Sequence, residues 1–480
     1  MNQSYQRLIR LELLQLLRNR SHVTLIAILL VLMTAATWNT SRTLKAKMAE
    51  VDRQTDLVRA NDQQLGAEID SLAQGLATYE TSYTLPTSGV RLTYDNHRVT
   101  TLPFSPFSVV AIGQGDLHSN YKKIVLYFDT SYEMYSEELI SPLEQLFGQL
   151  DLAFVWTYLL PLIILLVSFN LLSLERETGR LPLIESQPLA VSRWLLLRIG
   201  LRFLVLFSSI ALGALALLAI FAAGAFGSAK AIGQLLIILF CYCAFWFSLS
   251  FLVNLAGYSS GNALIVLTST WALLVFLVPS VVNQLGKEIH PIPSRLEVIN
   301  HHQAIYNEIE HHLEEEMAGL FQLHPDWYSD DPVTQSLSNS TGWNINYLAK
   351  QYLAQVKHQP FAAEYEKQID ARNAWLLNLR FLSPALILQN ALTDLAGSSV
   401  RHYRNFLQQS IEYAQQYRMY VFGGLFSNHA FTSQEIKNLP VFEFDSSRVP
   451  NRFAVDFLGL VTYLLLLLVA SPIIIRINSK

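Results

Sequence analysis

The chain has 480 residues, 51% of them hydrophobic and only 15% charged, where a soluble domain carries roughly 25% charged residues. The shortfall is concentrated in a few long apolar blocks separated by stretches of ordinary soluble composition, which is the pattern of membrane spans alternating with aqueous segments. A net charge of −4 with no clustered basic surface gives no nucleic-acid footprint.

From the N-terminus, Leu8, Leu11, Leu14 and Leu17 recur at helical spacing beside Arg7, Arg10 and Arg18. Residues 1–21 are thus expected to form an amphipathic helix on the cytoplasmic membrane face, leading into an uncleaved span rather than a signal peptide. Crossing a bilayer as a helix takes about 20 apolar residues. Six blocks supply this: 22–38, 152–174, 199–226, 232–253, 263–285 and 453–475. Spans three to five therefore fill 199–285, with a tight hairpin at Gly227–Lys230 and a short loop at Asn254–Asn262.

Basic residues set the orientation. Arg7, Arg10, Arg18 and Arg20 precede the first span, Arg176, Arg180, Arg193 and Arg198 follow the second, and Arg476 and Lys480 follow the last. With an even number of spans all three clusters fall on one side, which the positive-inside rule makes cytoplasmic. The expected product is a multi-pass inner-membrane protein with both termini cytoplasmic, a cytoplasmic segment at 175–198, a tail at 476–480, and two extracytoplasmic segments at 39–151 and 286–452.

In the first of those segments Met48, Val51, Thr55, Val58, Asp62, Leu65, Ile69, Leu72, Leu76 and Tyr79 alternate steps of three and four. This predicts a long helix leaving the membrane with one seam against its own domain or a second subunit. Turn residues between Tyr83 and Tyr135 separate short runs at 90–94 and 124–128, which read as strands of a small cap. A helix from about Ser136 returns the chain to the membrane. The second segment reads as helices at 295–321, 343–356, 361–379 and 399–421. The fold class is thus a mainly α membrane protein: six transmembrane helices and two insertions, the first α+β, the second mostly helical.

On a helix His301, Glu308 and His312 share a face, and imidazole with carboxylate can hold zinc. No His-Glu-x-x-His pattern accompanies them, and a solvated polar helix is the preferred reading, with no metal site assigned. Cys241 and Cys243 lie within an apolar block and read as small core residues.

The richest local pattern lies between the second and third spans. It includes Glu175, Arg176, Glu177, Gly179 and Arg180, an apolar set at Leu181, Leu183 and Ile184, then Glu185, Pro188, Ser192 and Arg193. A short amphipathic helix between two spans can press into a cleft on a soluble partner and pass rigid-body motion to the spans. This stretch resembles the permeases of ATP-binding-cassette transporters of the type-2 exporter class. Glu175, Arg176, Glu177, Gly179, Pro188, Ser192 and Arg193 match that family's features. The subfamily with large extracytoplasmic domains is further suggested by Ser383–Leu386 and Leu395–Gly397. The chain departs from the family in the longer gap at Leu189 and Ala190, and in Arg198 where a lysine is usual. The resemblance implies a dimer of separate ATPase subunits carrying ATP and Mg, a second permease copy or related permease, and no cofactor bound by this chain itself.

No Gly-x-x-x-x-Gly-Lys-[Ser/Thr] phosphate loop is present, so the chain reads as a permease without its own ATPase site. Few polar residues are available to line a pathway, the best being Asn170, Thr268, Ser269 and Thr270, and no acid or base is expected deep in a span. Transport is therefore the leading reading. Force transmission to an extracytoplasmic protein is the second, and a membrane-anchored metal-binding enzyme or sensor the third.

Overall fold

The protein is described by a computed structural model covering residues 9–10, 12–16, 18–81, 84–113, 118–127, 150–186, 190–325, 340–427 and 429–478. The helix expected from about Ser136, together with Leu8, Leu11, Leu17 and Pro188, lies outside the described residues.

The chain is mainly α. In order it forms α1 (Arg20–Ala73), α2 (Gly89–Asp95), β1 (Arg98–Thr101), β2 (Tyr121–Ile124), α3 (Leu152–Glu177), α4 (Leu181–Glu185), α5 (Val191–Phe221), α6 (Ala229–Leu255) and α7 (Ser260–Ile289). There follow α8 (Arg295–His311), α9 (Leu313–Leu323), α10 (Ser340–Leu379), α11 (Pro384–Ala396), α12 (Val400–Phe426), α13 (Ser433–Lys437) and α14 (Phe453–Asn478). Six of these elements are long and apolar enough to cross a membrane: α1, α3, α5, α6, α7 and α14.

These six build a first core with α3 and α6 at its centre. The most apolar windows of α3 and α6 are 67% and 61% buried, whereas those of the other four are 17–28% buried and present their remaining apolar faces outward. Polar groups tie the central pair where no water is available to satisfy them. Tyr242 Oη donates to Thr157 O at 2.7 Å and Ser250 Oγ to Ser168 O at 3.0 Å. Asn254 donates to Ser168 O at 2.8 Å and accepts from Leu172 N at 3.0 Å, just where α3 loosens into turns. Cys241 and Cys243 are buried in this core.

A second core is built by the far half of α1, α2, the antiparallel β1–β2 ribbon (Arg98 opposite Ile124) and the helices α8, α9, α10, α12 and α13. Its centre is aromatic, with Phe406, Tyr417, Phe422 and Phe426 fully buried. The far end of the seam expected on α1 faces this core, with Leu65 and Ile69 buried in it, whereas Met48 at the near end is 44% exposed. Asp62, which breaks the apolar rhythm, accepts from Arg98 at 2.6 Å and from Asn96 at 3.2 Å. The Arg98 guanidinium lies 5.3 Å from the centre of the Tyr417 ring, and Tyr417 Oη donates to Asn96 O at 2.8 Å. Burial pushes the Tyr413 hydroxyl up to about 12 and that of Tyr417 higher still, so both remain neutral hydrogen-bond donors beside the arginine.

Several expectations change. Residues 90–94 are helical, not a strand. Ser88 caps α2 by accepting from Val90 N, and Gly89 lets the first turn approach Leu425 so closely that a Cβ would sit 2.8 Å from its Cα. The long α1 stops at Ala73, and Gly75, at φ +70°, leaves Leu76 and Tyr79 beyond it. The helix expected at 295–321 breaks at His312, whereas 343–379 runs through Pro360 as one helix. A proline removes one backbone hydrogen bond, and the rest of a packed 40-residue helix carries on past it.

The largest change concerns α11, which belongs to the first core and not to the insertion around it. Ala385, Ile387, Leu388, Ala391, Leu392 and Ala396 are buried there. Its first turn is capped by Ser383, whose hydroxyl also donates to Leu274 O within the π-helical turn Leu273–Leu277 of α7. Immediately before it, Arg380 Nε donates to Asp456 at 2.6 Å, with the two side chains 3% and 1% exposed. Ser108 Oγ donates to Ala396 O and Ser398 Oγ to Ala111 O, so the connection between β1 and β2 is anchored to the end of α11.

The Asp62–Arg98 pair yields a prediction. Asp62→Leu leaves a nearly buried guanidinium without its carboxylate and is expected to destabilise the second core by about 3 kcal/mol. Asp56→Leu, which removes only an exposed ion pair, is expected to change stability by less than about 0.5 kcal/mol. Thermal unfolding and limited proteolysis of the purified chain compare the two.

Candidate functional site

The segment between the second and third candidate spans lies at the end of the bundle opposite α11. Here α3 finishes at Glu177, Gly179 takes φ +72°, α4 follows, and α5 begins at Val191. The left-handed conformation at Gly179 satisfies the last carbonyls of α3, with Gly179 N donating to Arg176 O and Arg180 N to Glu175 O. Ser192 and Arg193 form the first turn of α5.

Each member of the acid–base–acid run has a partner within the chain, although Arg176 and Glu177 are exposed. Glu175 accepts from Arg198 Nη1 at 2.9 Å. Arg198 Nε donates to Glu12 at 2.9 Å, and Arg202 pairs with the same carboxylate at 3.2 Å. The Arg198 guanidinium also covers the Trp194 ring at 4.5 Å. Arg176 donates to Gly257 O at 2.6 Å. Glu177 accepts from Ser260 N at 2.7 Å and from its hydroxyl at 2.9 Å, capping the start of α7. Ser260 Oγ reaches back to Ser173 Oγ at 3.0 Å. These three consecutive side chains thus tie the end of α3 to α5, to the α6–α7 turn and to the first turn of α7.

What remains outward is α4. Leu183 is 68% exposed, one of the most open apolar side chains near the bundle's polar ends, while Leu181 and Ile184 are half-buried. Arg180 and Glu185 are exposed beside it. The segment therefore divides into a clamp bonded to neighbouring helices, Glu175–Glu177, and a small apolar prong with charged flanks. Sequence reasoning missed Glu12, Arg202, Asn254 and Ser260. Glu12 was the single acid in an arginine-rich helix, and Asn254 the lone amide at the end of a span; either oddity is a usable signal. Arg202 and Asp456 also show that buried charges do enter the span helices, each paired near the helix end.

The other candidates do not converge. Thr268 and Thr270 donate to Leu264 O and Val266 O within their own helix, Ser269 is exposed, and Asn170 is half-buried where α3 unwinds. Around the histidines, His301 meets His358 at 3.1 Å and stacks on Phe361, Glu308 pairs with Lys357, and His312 bonds the carbonyl of Glu308 at the helix break. His301, Glu308 and His312 are not brought together. Among the described residues no group of three or more His, Cys, Asp or Glu side chains is placed to hold a metal ion.

Residues 295–445 match the model of a family described as a domain of unknown function, DUF3526. The match runs from the start of α8 to just past α13, and so covers most of the second core and the whole of α11. No curated protein and no solved structure matches the chain.

The clamp yields a prediction. Arg198→Met leaves Glu12 and Glu175 without their shared cation in a nearly buried site and is expected to cost about 3 kcal/mol. The exposed Arg193→Met is expected to stay within about 0.5 kcal/mol of the parent. Thermal unfolding in detergent measures both.

Proposed function

We propose that this chain is the membrane subunit of an ATP-binding-cassette transporter, moving a substrate across the inner membrane with work from a separate ATPase dimer that carries the ATP and Mg. The observation that supports it best is the division of the 173–193 segment into a clamp and a prong. A partner that engages Leu183 and its charged neighbours pushes on a helix whose base is tied through Glu175, Arg176 and Glu177 to α5, to the α6–α7 turn and to α7. Displacement at the prong then becomes displacement of several spans together, as rigid-body coupling requires. The resemblance of this stretch to type-2 exporter permeases points the same way. In this reading the prong end faces the cytoplasm and the second core stands on the opposite side. The open apolar faces of α7 and α14 suit a second permease.

Because Leu183 is exposed, Leu183→Asp is expected to leave the fold intact while reducing association with the cognate ATPase and lowering coupled ATP turnover about tenfold, the effect of losing an apolar anchor worth roughly 1.5 kcal/mol. Association and turnover both equal to the parent's would remove α4 from the coupling role.

Force transmission is a second reading, favoured by the continuity of α1 from the first core to the second. It differs in what must stay stiff. A flexible Gly/Ser insertion after Ala46 breaks the rod but spares the bundle, and transport is expected to survive it. Tryptophan at Asn170 or Thr268 is expected to abolish transport. An insertion that kills function while both tryptophan variants behave as the parent would replace transport with force transmission.

A further inference from the structure

The most capacious cavity described, about 1180 Å³, is not at the prong but at the far end of the bundle, where α7, α10, α11, α12 and the approach to α14 meet. Ligand pockets commonly hold 300 to roughly 1,000 Å³, so this cleft has room for a sizeable molecule. Its walls differ in kind. The end of α7 contributes Pro279 and Val282, apolar residues emerging from a candidate span, while α11 contributes Gln389 and Asn390 from the face opposite its buried Leu388 and Leu392.

The remaining wall is basic, with five arginines against three carboxylates. Three of the five are committed: Arg380 to Asp456, Arg401 to Asp394, and Arg448 to Glu412. The other two hold donors in reserve. Arg404 pairs with Asp370 through one terminal nitrogen at 2.7 Å, and its side chain is 20% exposed on the cleft, with its other terminal nitrogen in no hydrogen bond among the described residues. Arg452, half-buried, has neither an ion pair nor a side-chain hydrogen bond among the described residues. A guanidinium fork matches phosphate oxygens in geometry and charge.

We propose that this cleft binds a phosphate-bearing amphipathic ligand, with Arg404 and Arg452 taking the phosphate and the Pro279 and Val282 wall taking the apolar part. The apolar half rests on the reading that α7 crosses a bilayer; the phosphate half does not. The phosphate could come from a lipid headgroup or from a soluble phosphate ester, and the test separates them.

The full chain, purified in detergent without any ATPase so that coupling plays no part, is titrated with glycerol 3-phosphate and with lysophosphatidic acid below its micellar concentration. Monoacylglycerol serves as the uncharged control. Lysophosphatidic acid is expected to bind at least about tenfold more tightly than monoacylglycerol, and Arg452→Gln and Arg404→Gln each to remove about tenfold of that affinity, the loss of one charge-assisted hydrogen bond. Gln389→Trp, which fills the cleft and keeps every charge, is expected to weaken binding as well, covering the case in which an arginine variant fails to fold. Binding of glycerol 3-phosphate as tight as that of lysophosphatidic acid, and weakened by the same variants, would support a soluble phosphate ester and overturn the apolar half. Equal binding by the parent and all three variants, or binding of neither phosphate compound, would overturn the proposal.

Discussion

The architecture depends on one uninterrupted helix. α1 is 54 residues long, about 80 Å at 1.5 Å per residue, and it contributes buried side chains to both cores: Leu29, Met33 and Ala36 to the first, Leu65 and Ile69 to the second. A helix of that length stays straight only if its surface is supported along the way. Support is local near the spans and polar at the far end, where Asp62 and Arg98 fix the angle at which the ribbon and α12 lie against the rod. Asn61 donating to Asp95 O and Tyr121 Oη donating to Glu50 add further polar ties along the same half of the rod.

Paired charge recurs at both ends of the first core. Glu12, Arg198, Arg202 and Glu175 gather at one end, and Arg380 with Asp456 at the other. Buried ion pairs contribute little net stability but penalise every arrangement that separates them. They act here as register marks, one fixing the N-terminal segment to α5, the other fixing the turn that leads into α11 to α14. The centre of the bundle uses neutral groups instead, Tyr242, Ser250 and Asn254, each satisfied by a backbone carbonyl of α3.

How much of this could be read in advance follows from the range over which each signal acts. The six apolar elements were legible because a run of some 20 apolar residues is a local property, and the rod because its three-four rhythm is local too. α11 was not, since 13 residues are too few to resemble a span and its membership of the first core is set by neighbours far away in sequence. The internal partners of Glu175, Arg176 and Glu177 were not legible for a similar reason. Their charge pattern suggested a partner, but Gly257 and Ser260 lie more than 80 residues away and claim two of them. Residues 90–94 went astray because β-branched and aromatic residues there outvoted a serine cap and a glycine whose value appears only against Leu425.

The placement of Arg380 ahead of Asp456 bears on how the protein is made. Synthesis runs from the N-terminus, so the arginine has already emerged when the last apolar helix leaves the ribosome. That helix carries an acid in its first turn, a group that resists entry into hydrocarbon while it stands alone. Because Arg380 precedes it in the chain, the acid's counter-ion is made before the acid itself.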